Sequence, residues 1–219
     1  PNYTSKIVNT GIQAGGIEYA VPETISQKDM DAILLFSNDD DKILENYTTD
    51  DADGNYVIKD LKESEKEELE QIMTKPIIIS RTVQKEEMAN KIKEQILANV
   101  PEEQKEMMQN MSIIDILKTM PEEQLNQMLS ESTKQIDEMQ DSIKSQAAVA
   151  YVKEIYKDAG VDTDKLQMNY IMVAGLKMLV LAAISMASGI TIMMLSSRVG
   201  AKMAKTLREK IFNKVLKLS

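Results

Sequence analysis

The sequence predicts a mainly α-helical protein, in which a helical extracellular domain with a small β element is followed by a long transmembrane helix that continues into the cytoplasm. Three observations predict this fold class. Apolar residues recur at three- and four-residue steps between Gln84 and Ala159, as in amphipathic helices. The dipeptide Asp53-Gly54 precedes a β-branched stretch, which is typical of a hairpin turn. The twenty residues Met178–Ser197 carry no charge, and a helix of that length spans the ~30 Å hydrocarbon core of a bilayer.

The composition excludes several kinds of active site. The chain of 219 residues has no Cys and no His, which rules out disulfides, Cys/His zinc sites, thiol nucleophiles and His-based catalysis. Its net charge of −9 argues against nucleic acid as a partner. The many Asp and Glu side chains are interpreted as solvated helix faces. We therefore predict no catalytic, cofactor-binding or metal site in this chain.

At the N-terminus, residues 1–20 are interpreted as the end of a helix leading into a loop, with Gly11, Gly15 and Gly16 marking that end. Residues 22–46 predict one or two short helices. Pro22 is expected in the first helical turn, and an Asp of the run 39–41 is expected to cap the next helix. The expected apolar face consists of Met30, Ile33, Leu34, Ile43 and Leu44.

Residues Tyr47–Leu61 contain the hairpin signal, since Asp53-Gly54 is followed by the strand-favouring Tyr56-Val57-Ile58. The same stretch partly matches a calcium loop through Asp51, Asp53, Gly54 and Asp60. However, Thr49 would be its first ligand and no bidentate Glu closes it, so we favour the turn. The β-branched run Lys75–Val83 is predicted to be a short strand that pairs with the hairpin.

From Gln84 to Ala159 the pattern is helical, and Pro101 and Pro121 each stand at a predicted helix start. The next helix is expected over Ser132–Ala159. Its apolar positions are Ile136, Met139, Ile143, Ala147, Tyr151 and Ile155. Gly160 predicts a helix C-cap, and residues 162–164 are expected to cap the long helix that follows.

The chain divides into four parts: residues 1–20 as a helix end with its loop, 21–162 as an extracellular domain, 163–197 as a transmembrane helix, and 198–219 as a cytoplasmic extension. Residues 198–219 carry a net charge of +6, and residues 1–197 a net charge of −15. Because basic residues next to a span remain cytoplasmic, we expect residues 1–165 outside a plasma membrane and 198–219 inside. We also expect the chain to be a piece of a larger protein.

The predicted span region contains five methionines: Met172, Met178, Met186, Met193 and Met194. We interpret them as filling residues, with a surface for varied apolar substrates as the alternative. Small residues at four-residue steps, Ala183-Ala187 and Ser185-Gly189, predict close packing against other helices in the bilayer. After the span, an apolar stripe predicts that the helix continues into the cytoplasm, with a helix lying on the inner leaflet as the alternative. The stripe consists of Val199, Met203, Leu207, Ile211 and Val215.

Three stretches of the chain resemble ATP-binding-cassette (ABC) exporters. Residues 196–219 resemble the cytoplasmic extension of the second transmembrane helix, through Arg198, Gly200, Leu207-Arg208 and Phe212. Residues 1–12 resemble the outer end of the first helix. Residues 146–171 are similar to the segment that enters the second helix in bacterial members, notably halves of heterodimeric multidrug exporters. Some of those carry an extracellular domain between helices one and two, where residues 21–162 stand here. The resemblance implies that residues 1–20 are the outer end of transmembrane helix 1 and that residues 163–197 are transmembrane helix 2.

The resemblance implies a function of a full-length exporter, of which this chain would be one part. It implies the transmembrane domain of an ATP-driven multidrug, lipid or peptide exporter, in contact with membrane lipid and a second transporter half, and with a small-molecule or lipid substrate. No Gly-x-x-x-x-Gly-Lys-Ser/Thr loop is present. ATP and Mg²⁺ would therefore bind only in the missing nucleotide-binding domain, and ATP hydrolysis would belong to the full-length parent.

Two other classes of protein share the predicted topology. One is a membrane-anchored extracytoplasmic sensor or receptor with a basic signal-transmitting helix, and the other is an adhesion or structural ectodomain with a plain anchor. Neither accounts for the N-terminal helix end or for the pattern Leu207-Arg208 and Phe212.

Overall fold

Helices make up most of the chain in the computed structural model, which describes residues 3–49, 54–98, 100, 105 and 108–216. The chain begins with an α-helical turn, Tyr3–Lys6 (α1), which continues as the π-helix Ile7–Gln13. The later helices are α2 Gln27–Leu34, α3 Asp40–Glu45, α4 Glu63–Gln84, α5 Glu86–Leu97, α6 Ile113–Lys118, α7 Glu122–Glu138, α8 Asp141–Asp158 and α9 Thr163–Leu216. The strands are β1 Thr24–Ile25, β2 Tyr47–Thr49 and β3 Tyr56–Ile58. The predicted fold class, mainly α with a small β element and a long final helix, is confirmed.

Helix α4 forms the centre of the helical domain. It packs against α2, α3, α5, α6, α7 and α8, and residues 76–81 are buried on every side of the helix. Ile77 and Met73 have no exposed surface. The core also includes Ile17 and Ala20, which precede the predicted domain boundary at residue 21. A stand-alone domain therefore has to begin before Ile17, at about residue 14.

The prediction of a strand at Lys75–Val83 is wrong, because this run lies inside α4. An unbroken apolar run fits a strand buried on both faces and a helix buried all round equally well. Here the helix is surrounded by other helices, so each direction around it needs an apolar side chain. Pro76 lies inside the helix despite lacking a backbone N–H. Tertiary burial thus outweighs local β propensity.

The predicted hairpin is confirmed, and a third strand completes the sheet. That strand is β1 and not the predicted run Lys75–Val83. Strands β2 and β3 pair in antiparallel orientation, with Tyr47 opposite Ile58. Gly54 lies in the connecting turn with a φ of +68°, a left-handed conformation that favours glycine. The third strand is β1, in which Thr24 pairs with Val57, so the sheet order is β1-β3-β2. Asp51 and Asp53, two ligands of the alternative calcium loop, lie outside the described residues.

Two short helices between residues 22 and 46 are confirmed, but Pro22 does not begin the first. It precedes β1, and α2 begins at Gln27 after the N-cap Ser26. The Ser26 Oγ accepts a hydrogen bond from the Asp29 backbone N–H at 3.1 Å, which is the side-chain cap that proline cannot provide. Asp39 occupies the N-cap position of α3, but its side chain makes no capping hydrogen bond. Of the expected apolar face, Met30, Ile33 and Ile43 are buried, Leu34 is half-buried and Leu44 is exposed.

The single helix expected over Ser132–Ala159 is also wrong, because the chain forms two helices that meet at Met139 and Gln140. Both residues have extended backbone, with ψ angles of 146° and 143°. Apolar spacing continues across the break, so periodicity alone does not reveal it. Ile143 is consequently 48% exposed. The buried face of α8 is formed by Ala148, Val149, Val152, Ile155 and Tyr156.

Buried hydroxyl groups fasten the segment before β1 to the sheet and to α8. The Tyr47 hydroxyl donates to the Pro22 carbonyl oxygen at 2.7 Å, and the Glu23 backbone N–H donates to the Tyr156 hydroxyl at 2.8 Å. Burial raises the pKa of Tyr47 well above its usual value. Both tyrosines therefore stay neutral and act as fixed polar groups inside the core.

Arg81 on α4 forms the buried charge cluster of the domain. Its side chain is 9% exposed and lies 3.1 Å from the carboxylate of Asp29, which is 4% exposed. On its other side the guanidinium donates to the half-exposed Asp158 carboxylate at 2.7 Å. Burial raises the pKa of Asp29, and the Arg81 charge opposes that rise. The cluster of Asp29, Arg81 and Asp158 therefore joins α2, α4 and α8 at one point.

We expect Arg81→Met to lower the free energy of unfolding of a domain of residues 14–161 by about 3–5 kcal/mol at pH 7, because the buried Asp29 carboxylate loses its cation. The folded-state pKa of Asp29 would then rise further above its unfolded value. Protonation therefore favours the folded state, and the loss should shrink as the pH falls from 7 towards 4.5. Denaturant unfolding at both pH values measures the effect.

Asp158→Asn is the matched control, since it removes the exposed partner of the same guanidinium. It should cost about 1 kcal/mol or less. An Arg81→Met loss that is equal at pH 7 and pH 4.5 would contradict the assignment of the loss to an unpaired Asp29 charge.

Candidate functional site: the exposed apolar helix and its junction with the domain

Helix α9 presents an apolar surface that the described chain does not cover. From Met172 to Phe212 every large apolar side chain of the helix is exposed, including Leu179 at 69% and Met193 at 77%. None of its most apolar 18-residue window is buried. A core helix of a soluble protein would be mostly buried. In the described part of the chain, α9 is the one helix long and apolar enough to cross a membrane.

Two hydroxyl groups within the apolar run are satisfied inside the helix. The Ser188 hydroxyl donates to the Ile184 carbonyl oxygen and the Thr191 hydroxyl to the Ala187 carbonyl oxygen, each at 2.9 Å. These two hydroxyls therefore need no water partner, which suits a helix in hydrocarbon. The run is also free of charges between Lys177 and Arg198.

The helix continues without interruption beyond the apolar run, as predicted, and residues 163–216 form a single element of 54 residues. At 1.5 Å per residue it is about 81 Å long. The apolar stripe predicted after Arg198 is exposed at Val199, Met203, Leu207 and Ile211. A helix lying on a membrane surface would have to turn where the apolar run ends, and α9 has no break there.

The junction between α8 and α9 is closed by two capping motifs. Gly160 has a φ of +76°; its N–H donates to the Lys157 carbonyl oxygen, and the Val161 N–H donates to that of Tyr156. This pattern is a Schellman C-cap. The Asp162 carboxylate then accepts from the backbone N–H groups of Lys165 at 3.1 Å and Asp164 at 3.2 Å. The two caps predicted from the sequence are therefore confirmed.

Electrostatics and the hairpin reinforce this junction. The backbone N–H of Lys165 is the main reason that the pKa of the Asp162 carboxyl lies below its usual value. The carboxylate therefore stays charged at the positive end of the α9 dipole. From the hairpin, the Asn55 side-chain amide donates to the Ala159 carbonyl oxygen at 3.3 Å. The direction in which α9 leaves the domain is thus fixed by the C-terminus of α8 and by the hairpin.

Residues Tyr3–Gln13, which comprise α1 and the π-helix and are called the N-terminal helix below, run antiparallel to the first turns of α9. The turn after this helix also contacts α9, through Gly16. Gly16 lies against Leu166 and Gln167, whereas Gly11 lies against Tyr170 and Ile171. The earlier glycine, Gly11, contacts the later residues of α9, and the later glycine, Gly16, contacts the earlier ones, so the two segments run in opposite directions. The Gln167 side-chain amide donates to the Gly11 carbonyl oxygen at 2.9 Å. Two helices therefore leave the domain side by side.

Both glycines are needed for this close approach. A Cβ on Gly11 would lie 3.0 Å from the Ile171 Cγ1 atom, and a Cβ on Gly16 would lie 3.0 Å from the Gln167 Cα atom. Gly16 also has a φ of +86°. The sequence pattern predicts only that these glycines mark a helix end, and their five-residue spacing gives no signal of their second role as contact residues.

Of the predicted features, the structure brings the N-terminal glycines and the start of α9 together. It leaves the four-residue steps Ala183-Ala187 and Ser185-Gly189 exposed, with no described residue packed against them. The same holds for the methionines of the apolar run. The expected packing of these small residues against other helices in a bilayer therefore remains a prediction. Within the described ranges, no group of three or more Asp and Glu side chains lies close enough together to hold a metal ion.

Comparisons of the chain with family models, with curated proteins and with solved structures find no match.

We expect Gly16→Ala to destabilise the domain by more than Gly54→Ala. Both glycines have positive φ, so each substitution pays the left-handed backbone cost of about 1–2 kcal/mol. Only Gly16 has a backbone atom 3.0 Å from the added methyl group, while Gly54 has no atom within 4 Å. Thermal unfolding of the full chain in detergent gives the comparison. Equal losses in the two variants would mean that the contact between the N-terminal helix and α9 is loose.

Proposed function

We propose that this chain is part of the transmembrane domain of an ATP-driven ABC exporter, to which it contributes an extracellular domain and one helix of the transport path. One observation carries the proposal: the domain is entered by a helix that runs antiparallel to the start of α9 and in contact with it. An insertion between two consecutive membrane helices needs this arrangement. Its two ends must return to the membrane next to each other.

The N-terminal helix exposes apolar side chains beside α9. Val8 is 41% and Ile12 is 58% exposed, next to the exposed polar residues Lys6, Asn9 and Gln13. An anchored sensor or an adhesion ectodomain needs one helix to hold it to the membrane, and α9 alone would serve. The second helix at the junction therefore favours the exporter over both rivals.

The charge distribution supports a topology. The described surface outside the apolar run is mainly acidic up to Lys177, and the part after Ser197 carries seven basic residues against Glu209. We place residues 1–165 outside the plasma membrane and residues 198–219 in the cytoplasm. In the parent protein, further spans, a second transporter half and a nucleotide-binding domain that holds ATP and Mg²⁺ would complete the exporter.

In this proposal α9 is the mechanical link across the membrane. The caps at Gly160 and Asp162 fix its first turn to the domain, and in the proposed topology its basic end reaches the cytoplasm. A continuous helix without proline can carry a rotation driven by nucleotide binding to the outer face. The substrate would be a multidrug-type small molecule, a lipid or a peptide, moved along a path to which α9 contributes one wall.

The parent gene tests the assignment directly. An exporter requires further membrane spans after residue 219 and a Gly-x-x-x-x-Gly-Lys-Ser/Thr loop. A kinase or methyl-accepting region in that place would instead establish the sensor. A parent gene that lacks any nucleotide-binding domain would refute the exporter.

Single-cysteine labelling tests the topology, because the chain has no cysteine of its own. In whole cells that express the parent, a membrane-impermeant maleimide should label Ser130→Cys, an exposed position on α7. The matched variant Lys202→Cys should react only after lysis. The reverse pattern, with position 130 labelled only after lysis, would overturn the orientation.

Backbone substitutions at Gly200 test the mechanical link. Gly200 lies in α9 just after the apolar run, with no atom within 4 Å of an added Cβ. Gly200→Ala should leave the transporter unchanged, whereas Gly200→Pro should kink the helix at a cost of ~3 kcal/mol or more. In the reconstituted parent, we expect the Pro variant to hydrolyse ATP without coupled efflux. Normal efflux in that variant would refute a rigid link.

A further inference from the structure

A groove with polar and apolar lining lies between the N-terminal helix and α8, on the side of the domain from which α9 leaves. Its volume is about 530 Å³. Asn9 and Gln13 line it from the N-terminal helix, and Gln146 and Lys153 line it from α8. None of the features used so far to argue the exporter involves these side chains.

Lys153 is the charged group inside this groove. It is half-buried, and its side chain lies over Gly15, where a Cβ would be 3.3 Å from the ammonium nitrogen. Gly15 has a φ of +66°, so a side chain at that position is disfavoured twice over. Among the residues that the structure describes, no carboxylate forms an ion pair with Lys153. The groove thus holds a cation with no protein anion to neutralise it.

One carboxylate lines the groove, and it is already paired: Glu18 forms an ion pair with Lys6 at 2.7 Å. Three amides, of Asn9, Gln13 and Gln146, line the same groove as Lys153, and each can donate hydrogen bonds through its NH₂ group. A lysine ammonium in a groove that also offers amide donors suits a phosphate oxygen. In a domain with such an acidic balance, this groove is a local exception.

The groove lies at the level where a bilayer carries its phosphates. Gly16, next to Gly15 and Lys153, is level with Gln167, and the continuous exposed apolar surface of α9 starts at Met172. These two positions are five residues apart, or about 8 Å along the helix. The headgroup layer of one leaflet is roughly 5–8 Å thick. A phosphate at the outer edge of the membrane would therefore meet Lys153.

We infer that this groove binds the phosphate of a phospholipid headgroup, with the Lys153 ammonium as the charged contact and the amides of Asn9, Gln13 and Gln146 as neighbouring donors. The inference rests on the proposed membrane crossing of α9 and does not need the exporter assignment. Bound there, a lipid would lie between α8 and the N-terminal helix and would couple the height of the domain to the membrane surface.

Photo-cross-linking tests the site in the full chain. The chain is reconstituted in nanodiscs of phosphatidylcholine with a small fraction of phosphatidylglycerol that carries a photoreactive headgroup. Mass spectrometry then quantifies cross-links to residues 9–18 and 145–153, with cross-links to the basic segment 198–214 as the internal reference. Removing one charge-assisted contact should lower occupancy, and we expect Lys153→Gln to reduce groove cross-linking roughly tenfold relative to the reference.

Two further variants keep the test independent of folding. Lys153→Arg keeps the charge and should retain cross-linking. Lys157→Gln removes the same charge one helical turn later, at an exposed position outside the groove, and should also leave cross-linking unchanged. Unchanged groove cross-linking in Lys153→Gln, or an equal fall in Lys157→Gln, would overturn the site.

Competition identifies the source of the phosphate. Unlabelled phosphatidylglycerol should compete for the groove, whereas diacylglycerol with the same acyl chains should not. Competition by inorganic phosphate at equal strength would show that the groove takes a soluble anion and would overturn the lipid. Loss of cross-links at both the groove and residues 198–214 would instead argue against the membrane crossing itself, while a parent gene without a nucleotide-binding domain would leave this inference intact.

Discussion

The uncovered apolar surface of α9 is the constraint on which the other features depend. From Met172 to Leu195 every large apolar side chain of the helix is exposed, and in water each would forgo about 1.5–3 kcal/mol of burial. The domain does not cover this surface, because its core closes around α4 and, among the described residues, meets α9 at Leu166. Hydrocarbon is the environment that matches this surface. In the proposed membrane crossing, the features at the junction would hold the domain at a fixed height above the bilayer.

Three separate connections hold α9 at the junction, and each uses a different kind of interaction. The Schellman turn at Gly160 and the Asp162 cap satisfy backbone groups. The contacts of Gly11 and Gly16 with α9 depend on the absence of side chains. The Asn55 amide reaches across from the hairpin to the end of α8. These interactions fix the start of α9 to the N-terminal helix and to the end of α8, and they fix the end of α8 to the hairpin, so we expect a movement of α9 to carry the domain with it.

The sequence predicts those features that depend on neighbouring residues. The hairpin, the caps at Gly160 and Asp162, and the length of α9 all follow from local chemistry. It does not predict features that depend on distant packing. The run Lys75–Val83 favours a strand because β-branched residues are frequent in it, yet it forms the buried C-terminal part of α4, a helix against which six other helices pack. The break at Met139 is hidden because apolar spacing crosses it unchanged. The contact glycines need a partner 150 residues away, and no local pattern identifies that partner.

The part of α9 after the apolar run has a requirement of its own. Inside a bilayer, backbone hydrogen bonds have no water to exchange with, so the apolar run stays helical without neighbours. In the proposed topology that protection ends at Arg198, and beyond it most helical stability has to come from packing of an apolar face. The Lys205–Glu209 pair, at 3.9 Å and exposed, contributes little. Stiffness there has to come from covering the apolar stripe at Val199, Met203, Leu207 and Ile211, which is exposed in this chain. A protein that uses α9 to transmit movement across a membrane would therefore need a packing partner for that stripe.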